Sequence, residues 1–244
     1  MARVKRGFDH LLDRARDLRE ETTGRLVIGA NPVLSADFMP RLIERFARAH
    51  PGVQIQLESD NGRNLIEAWL SGMIDIGFVT RSAGSRALAG ASTLQANHLI
   101  DIGTVFALPA GHRLANAARI DLADLAGEPF VALTGDAGSR RELDAALARA
   151  GAPVRIVAEA STPLAAVALV ARGLGVALVS DLAVFACAGR DRVVARPISP
   201  PIGSVIDYAV SDEKRQSPLV KAFLAMAHAD AAGIHRDIVG DPFG

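Results

Sequence analysis

Four short stretches of this chain carry the side chains best suited to recognising a small molecule. Each stands where a strand pattern gives way to a helix pattern. They are Val33–Ser35, Asn61–Asn64, Thr134–Ser139 and Ser161–Thr162. Each offers a hydroxyl, an amide or a glycine-softened backbone. A helix start exposes backbone N–H groups, and the helix dipole favours negative charge there. A carboxylate is the chemistry such places hold best. Singly, each is an ordinary helix cap; the reading rests on four together. No catalytic constellation competes with them. The nucleophile-elbow motif Gly-x-Ser-x-Gly is absent, as is the phosphate-binding Gly-x-x-x-x-Gly-Lys-Ser/Thr. The histidines at 10, 50, 98, 112, 228 and 235 form no zinc-spaced pair. Gly173-Leu174-Gly175 precedes a strand, the wrong order for a dinucleotide fingerprint, and reads as a tight turn. Cys187 has no evident His partner and reads as a small buried hydrophobe.

The elements that must position these residues alternate. Leu26 to Gly29 is a short buried strand, followed by the turn Asn31 to Ser35. A helix follows with Phe38, Met39, Leu42, Ile43 and Phe46 on one face, ending at His50-Pro51-Gly52. Val53, Ile55 and Leu57 alternate with polar residues, which predicts a strand that is half exposed or near a sheet edge. A second helix carries Leu65, Ile66, Trp69 and Leu70 and closes at Gly72; Asp75 to Val79 is the third strand. This βαβαβ order predicts a parallel sheet. Residues 81–97 read as a loop, and Leu99 to Leu108 as a strand. A second block then alternates: strand 130–133, helix to Ala150, strand 154–158, a helix starting at Thr162-Pro163, and strand 176–179. A final strand, 204–211, and a helix from Ser217-Pro218 complete the pattern. From Gly233 the tail is polar and is expected to fray. Two similar α/β lobes with a cleft between them are therefore expected. The four helix starts converge on that cleft if the lobes face each other, since ligands of open parallel sheets sit beyond the carboxyl ends of the strands.

The bulk numbers agree. The 244 residues are half apolar and 5% aromatic, with no run of 18 apolar residues, which suits an α/β body rather than a membrane span. Lys+Arg and Asp+Glu are 27 each, so the basic surplus of a DNA-gripping module is missing. A single cysteine suits a reducing cytoplasm. The N-terminus runs into a charged pattern rather than an apolar signal. Residues 3–22 carry Phe8, Leu11, Leu12, Ala15 and Leu18 at helical spacing. This amphipathic stripe fits a terminal helix packed on its own domain, or the end of a coiled-coil linker.

The motifs also match a family. Gly24 to Gly29, then Met39-Pro40-x-Leu42 and Phe46-x-x-x-His50-Pro51, resemble the opening of a LysR-type effector domain. Leu70-x-x-Gly72-x-x-Asp75-Ile76-Gly77 is similar to the helix–turn–strand signature of that family. Pro109-x-x-His112-x-Leu114, Asp121-Leu122-x-x-Leu125 and Pro129-Phe130-Val131 resemble the entry to its second lobe. Val170-x-x-Gly173-x-Gly175 through Val179 is the stretch most like the family. The resemblance implies two Rossmann-like lobes with a hinge, the periplasmic-binding-protein-like type 2 fold. Lobe I would comprise residues 24–100 plus 205–232, lobe II residues 101–204, residues 1–23 the end of a linker helix and 233–244 a polar tail. The hinge would lie near Ile100–Gly103 and Ser204–Asp207. Carried over by position, effector contacts fall at Pro32, Val33, Leu34 and Ser35, on the loop Thr134 to Ser139 with Gly135, at Ser161 and Thr162, and near the hinge. Asn64 joins them from the second helix start. The resemblance further implies homodimers of this domain, tetramers of the full-length regulator, and DNA contact only through an N-terminal helix-turn-helix domain outside this chain. No cofactor is expected.

The implied effector is a small carboxylate. Gly127-Glu128, the Thr134 loop and Asp181 resemble the branch that answers to opines and other amino-acid derivatives. Arg63, Arg81 and Arg140 are the cations that could pair with an anion, against the ordinary alternative of solvated surface charges. Two other classes stay open on the residues alone. One is a solute-binding protein of a transporter, with the same fold. The other is an α/β enzyme using Asp or Arg in the cleft, against which stands the lack of a nucleophile–base motif.

Overall fold

A computed structural model describes residues 24–82, 96–134, 137–187, 189–199, 201–211 and 213–239, with only the backbone for residues 62, 63, 82, 137–142 and 190. The amphipathic stretch 3–22, most of the 81–97 loop and Gly135 lie outside the described residues.

Strand β1 (Gly24–Ala30) buries Leu26, Ile28 and Ala30. A π-helical turn (Leu34–Phe38) runs into helix α1 (Met39–Ala49), which buries Met39, Leu42 and Phe46. Then come β2 (Val53–Ser59), α2 (Gly62–Leu70) and β3 (Ile76–Ser82). β1 pairs in parallel with both β2 and β3, as the βαβαβ pattern predicts. β2 is the end strand of the sheet, which explains its half-polar alternation.

The 13-residue β4 (Asn97–Pro109) joins the two lobes. Its first half pairs with β10 (Gly203–Val210), which in turn pairs with β3. Its second half pairs with β8 (Ala177–Ser180) and β9 (Val193–Ser199). The whole sheet runs β2-β1-β3-β10-β4-β9-β5, with β8 also on β4 and β5 being Ile120–Asp121. β6 (Pro129–Leu133) and β7 (Arg155–Ala160) form a second parallel pair, linked by α3 (Ala137–Arg149), and β6 meets the residue before β8 through a Phe130–Val176 bridge. Helix α4 (Pro163–Val170) leads to β8, and the short α5 (Asp181–Phe185) follows it. The sequence pattern passed over β5, α5 and β9.

Helix α6 (Pro218–Val239) departs from expectation at its end. Residues 233–239 are not a frayed polar tail. They continue the helix, and Ile234, Ile238 and Val239 are buried. With Ala227 and Ala231 they extend one apolar stripe at helical spacing, and the polar His235, Arg236 and Asp237 fall between them. Near its start α6 sets Phe223 against Phe46 and Phe78, with ring centroids 5.1 and 6.1 Å apart.

Two family-like motifs acquire structural reasons. Asp75 is buried: its carboxylate accepts the Val27 N–H at 2.8 Å and lies 3.3 Å from Lys214 Nζ. Glu128 accepts from Arg113 Nε at 2.7 Å and sits 3.2 Å from His112 Nε2. Because His112 Nδ1 accepts the Leu114 N–H, Nε2 carries the proton and donates to Glu128. Gly175, at φ +156°, has no room for a side chain: a Cβ there would lie 2.3 Å from the Pro129 carbonyl oxygen. The Gly-x-Gly stretch is thus a close backbone crossing, as its turn reading requires.

Candidate functional site

The first helix start is organised by Asn31. Its Oδ1 accepts the Leu34 N–H at 3.1 Å, so Asn31 caps the helix and Pro32 occupies the first helical position. Its Nδ2 donates to Thr80 Oγ1 at 2.7 Å, tying the cap to β3. Ser35 lies inside the turn: its N–H donates to the Asn31 carbonyl and its hydroxyl to the Ala30 carbonyl at 3.2 Å. Val33 and Leu34 are core side chains, 2% and 0% exposed, so only their backbone could meet a ligand. Pro32 and Ser35 are half-buried. Asn31 was read only as part of the turn. Its signal was legible, because Asn31-Pro32 repeats the cap-plus-proline device of Thr162-Pro163 and Ser217-Pro218.

The second start sits beside the first. Asp60 donates its N–H to the Ala30 carbonyl at 3.3 Å, the oxygen that also takes the Ser35 hydroxyl. Asn61 Oδ1 accepts the Asn64 N–H at 3.1 Å, and the exposed Asn64 side chain turns back onto Asp60 at 2.9 Å. Asn61 is therefore the cap and Asn64 its partner.

The other two starts adjoin in the second lobe. Leu133 and Ala160 are register partners, so Thr134 and Ser161 follow side by side at the carboxyl ends of β6 and β7. Thr134 donates both its N–H and its hydroxyl to the Ala160 carbonyl, at 2.9 and 3.3 Å, and is exposed. Thr162 caps α4, its Oγ1 accepting the Ala165 N–H at 3.2 Å, with Pro163 next. Ser161 is exposed. Ser139 falls in the first turn of α3 rather than in a loop, and its side chain lies outside the described atoms. The structure thus assembles two sets, one around the Ala30 carbonyl and one around the Ala160 carbonyl.

The lobes meet at the β4–β10 crossing. Thr104 Oγ1 and Ser204 Oγ are 2.7 Å apart, and Gly103 faces Gly203. The charged candidates are largely structural. Arg81 pairs with the buried Asp207 of β10. Asp181 is buried behind Gly103, and Glu128 is held by His112 and Arg113. Burial alone would raise the Glu128 carboxyl; the hydrogen bonds from His112 and Arg113 outweigh it and hold it below the usual carboxylate range. Arg63 and Arg140 side chains lie outside the described atoms. Cys187 is half-buried, not buried; its thiol is 3.7 Å from the Leu164 carbonyl, and burial raises its pKa. Among the described residues, no helix is long and apolar enough to cross a membrane.

Comparison with known proteins gives the family. The family model of the LysR substrate binding domain matches residues 19–232. Over 218 residues the chain is 27% identical to the transcriptional activator protein LysR of Escherichia coli, covering 89% of this chain and 68% of that protein. It is 29% identical over 196 residues to the octopine catabolism/uptake operon regulatory protein OccR of Rhizobium meliloti, covering 79% of this chain and 61% of that one. The chain thus spans roughly two thirds of these regulators. Among solved structures, the effector binding domain of QuiR in complex with shikimate superposes with TM-score 0.70 at 19% identity, covering 86% of this chain and 98% of that chain.

Proposed function

This chain belongs to the LysR substrate-binding-domain family, and from that premise we propose that it binds a small carboxylate between its two lobes and transmits the event to a DNA-binding domain elsewhere in the full protein. One observation carries the reading. Parallel strands of each lobe end in capped helix starts, Asn31 and Asn61 in the first and Thr162 in the second, and the lobes are joined by β4 and β10 alone among the strands described. In this reading Pro32, Val33, Leu34 and Ser35 with Asn64 face Thr134, Gly135, Ser139, Ser161 and Thr162 across the cleft. Lobe I is residues 24–100 plus 205–232, extended through α6, and lobe II residues 101–204. Backbone N–H groups and hydroxyls hold the carboxylate, and Thr104 and Ser204 floor the cleft at the hinge.

The substrate class is supported from two sides. Helix starts stabilise anions through dipole and exposed N–H groups. The QuiR domain holds shikimate, a carboxylate, and OccR is named for octopine catabolism, an amino-acid derivative. A binder rather than an enzyme fits a site of caps and hydroxyls with its charged neighbours engaged in structural pairs. The transporter reading gains nothing specific from the site. Homodimers are supported by two strands with an open side among the described residues: β2 ends the main sheet, and β7 pairs with β6 on one side and carries Ile156 at 44% exposure. The full-length tetramer and the cytoplasmic location belong to the same reading, as the family resemblance implies them.

A thermal-shift screen of amino acids, octopine and shikimate tests the proposal. A ligand that binds only the native state raises Tm, by about 2.7 kcal/mol of stabilisation at a hundredfold excess over Kd. A Tm rise with at least one carboxylate, abolished when its methyl ester is used, supports the reading. Tm unmoved by all, or equal shifts with acid and ester, contradicts it.

A further inference from the structure

The end of α6 touches both lobes through polar side chains. On one side, Arg45 of α1 reaches Asp230 at 3.5 Å and Asp237 at 3.3 Å. With the Phe46–Phe223 contact this fixes α6 to lobe I. On the other side, His235 Nε2 lies 2.9 Å from Asp181 Oδ2. Asp181 opens α5 of lobe II directly after β8, and is 2% exposed. The same Oδ2 accepts the Gly103 N–H at 2.8 Å, and Oδ1 accepts the Leu182 N–H at 2.6 Å. Gly103 sits in β4 where it passes between the lobes. Glycine is required there, because a Cβ would lie 2.6 Å from Asp181 Oδ2.

One buried carboxylate therefore holds three parts of the molecule: the crossing strand, the first turn of a lobe II helix, and the last turns of a helix rooted on lobe I. The carboxylate can only accept, so His235 donates from Nε2. A donor bonded to a buried anion makes a short, strong hydrogen bond, and breaking it leaves the charge poorly solvated. His235 also lies beyond residues 19–232, the span that matches the family model.

We propose that Asp181 and His235 form a latch that sets the angle between the two lobes. Rotation about β4 and β10 moves α5 against the end of α6. It must break the Asp181–His235 bond, whereas the Asp181–Gly103 bond moves with the crossing strand. The latch therefore holds one lobe arrangement until something favours another, and any ligand that changes the angle works against it. The proposal goes beyond the binding role, and its test needs no effector.

The test places spin labels at Ala47Cys on α1 and Ala148Cys on α3, both exposed positions, in a chain with Cys187→Ala. Pulsed electron resonance then reads the inter-lobe distance distribution in the ligand-free protein. His235→Ala should broaden or shift that distribution. His235→Gln, which keeps an N–H donor near the same reach, should restore the narrow one. In Asp181→Asn, exchange of the Gly103 amide hydrogen should quicken by about tenfold, the loss of a charge-assisted bond. A His235→Ala distribution superimposable on the parent overturns the latch, including the case where Tm falls but the distances hold. So does a His235→Gln distribution as broad as that of His235→Ala.

Discussion

Asp75 and Glu128 are residues whose role is to satisfy a neighbour rather than a ligand. Asp75 takes a β1 N–H and faces Lys214 from a buried position, so Asp75→Ala leaves both without their acceptor. The expected cost is about 3 kcal/mol, read by urea unfolding; a change below about 0.5 kcal/mol would contradict the assignment. Glu128 makes a prediction about pH. Its folded pKa is depressed, so its contribution to stability is present above the unfolded pKa and is lost as pH falls through the folded one. Glu128→Gln should lower stability at neutral pH and flatten the acid limb of the stability curve below the usual carboxylate range. An acid limb as steep as the parent's would show that the His112 and Arg113 bonds do not set that pKa.

At the scale of elements, the caps and the last helix decide most. Asn31 both caps the first helix and bonds Thr80, so Asn31→Ala should cost about 1–2 kcal/mol, more than Ser35→Ala at the same turn. Equal losses at the two positions would mean that Ser35 shares the capping role. Ile234 is fully buried on the final turns of α6, and Ile234→Ala should cost about 2–4 kcal/mol in denaturant unfolding. A frayed tail would lose nothing. These elements also mark how far the sequence could be read. The apolar run Leu26 to Gly29 announced β1, the spacing Met39/Leu42/Phe46 announced α1, and the alternation from Val53 to Leu57 announced a strand half exposed or near an edge. The Thr162-Pro163 start was legible because a hydroxyl cap and a proline have one common use. α5 was not, since five residues cannot show a helical period, and β9 carries arginine and proline among its apolar residues. The end of α6 was missed because polar residues at 235–237 hid a stripe continuing at 234, 238 and 239. In the candidate site, Thr162 was assigned its cap correctly, whereas Asn31 lay one residue before the stretch that drew attention. The ion pair of Arg81 and the burial of Asp181 offered no sequence signal, because their partners Asp207 and Gly103 are far away in the chain.

At the scale of the whole molecule, two lobes share one long strand, one returning strand and one bracing helix. On the proposed function, that arrangement lets an α/β body with zero net formal charge serve regulation through an equilibrium between lobe arrangements. The ligand need only fit one arrangement better than another. The central claim is that one small carboxylate touches both lobes at once. The most direct measurement is a two-dimensional amide spectrum of the isotope-labelled chain, titrated to saturation with a carboxylate that raises Tm. The account predicts shifts with one common Kd at Val33, Leu34 and Ser35 and at Thr134, Ser161 and Thr162. Shifts confined to one lobe, or clustered away from both strand-end sets, would contradict it.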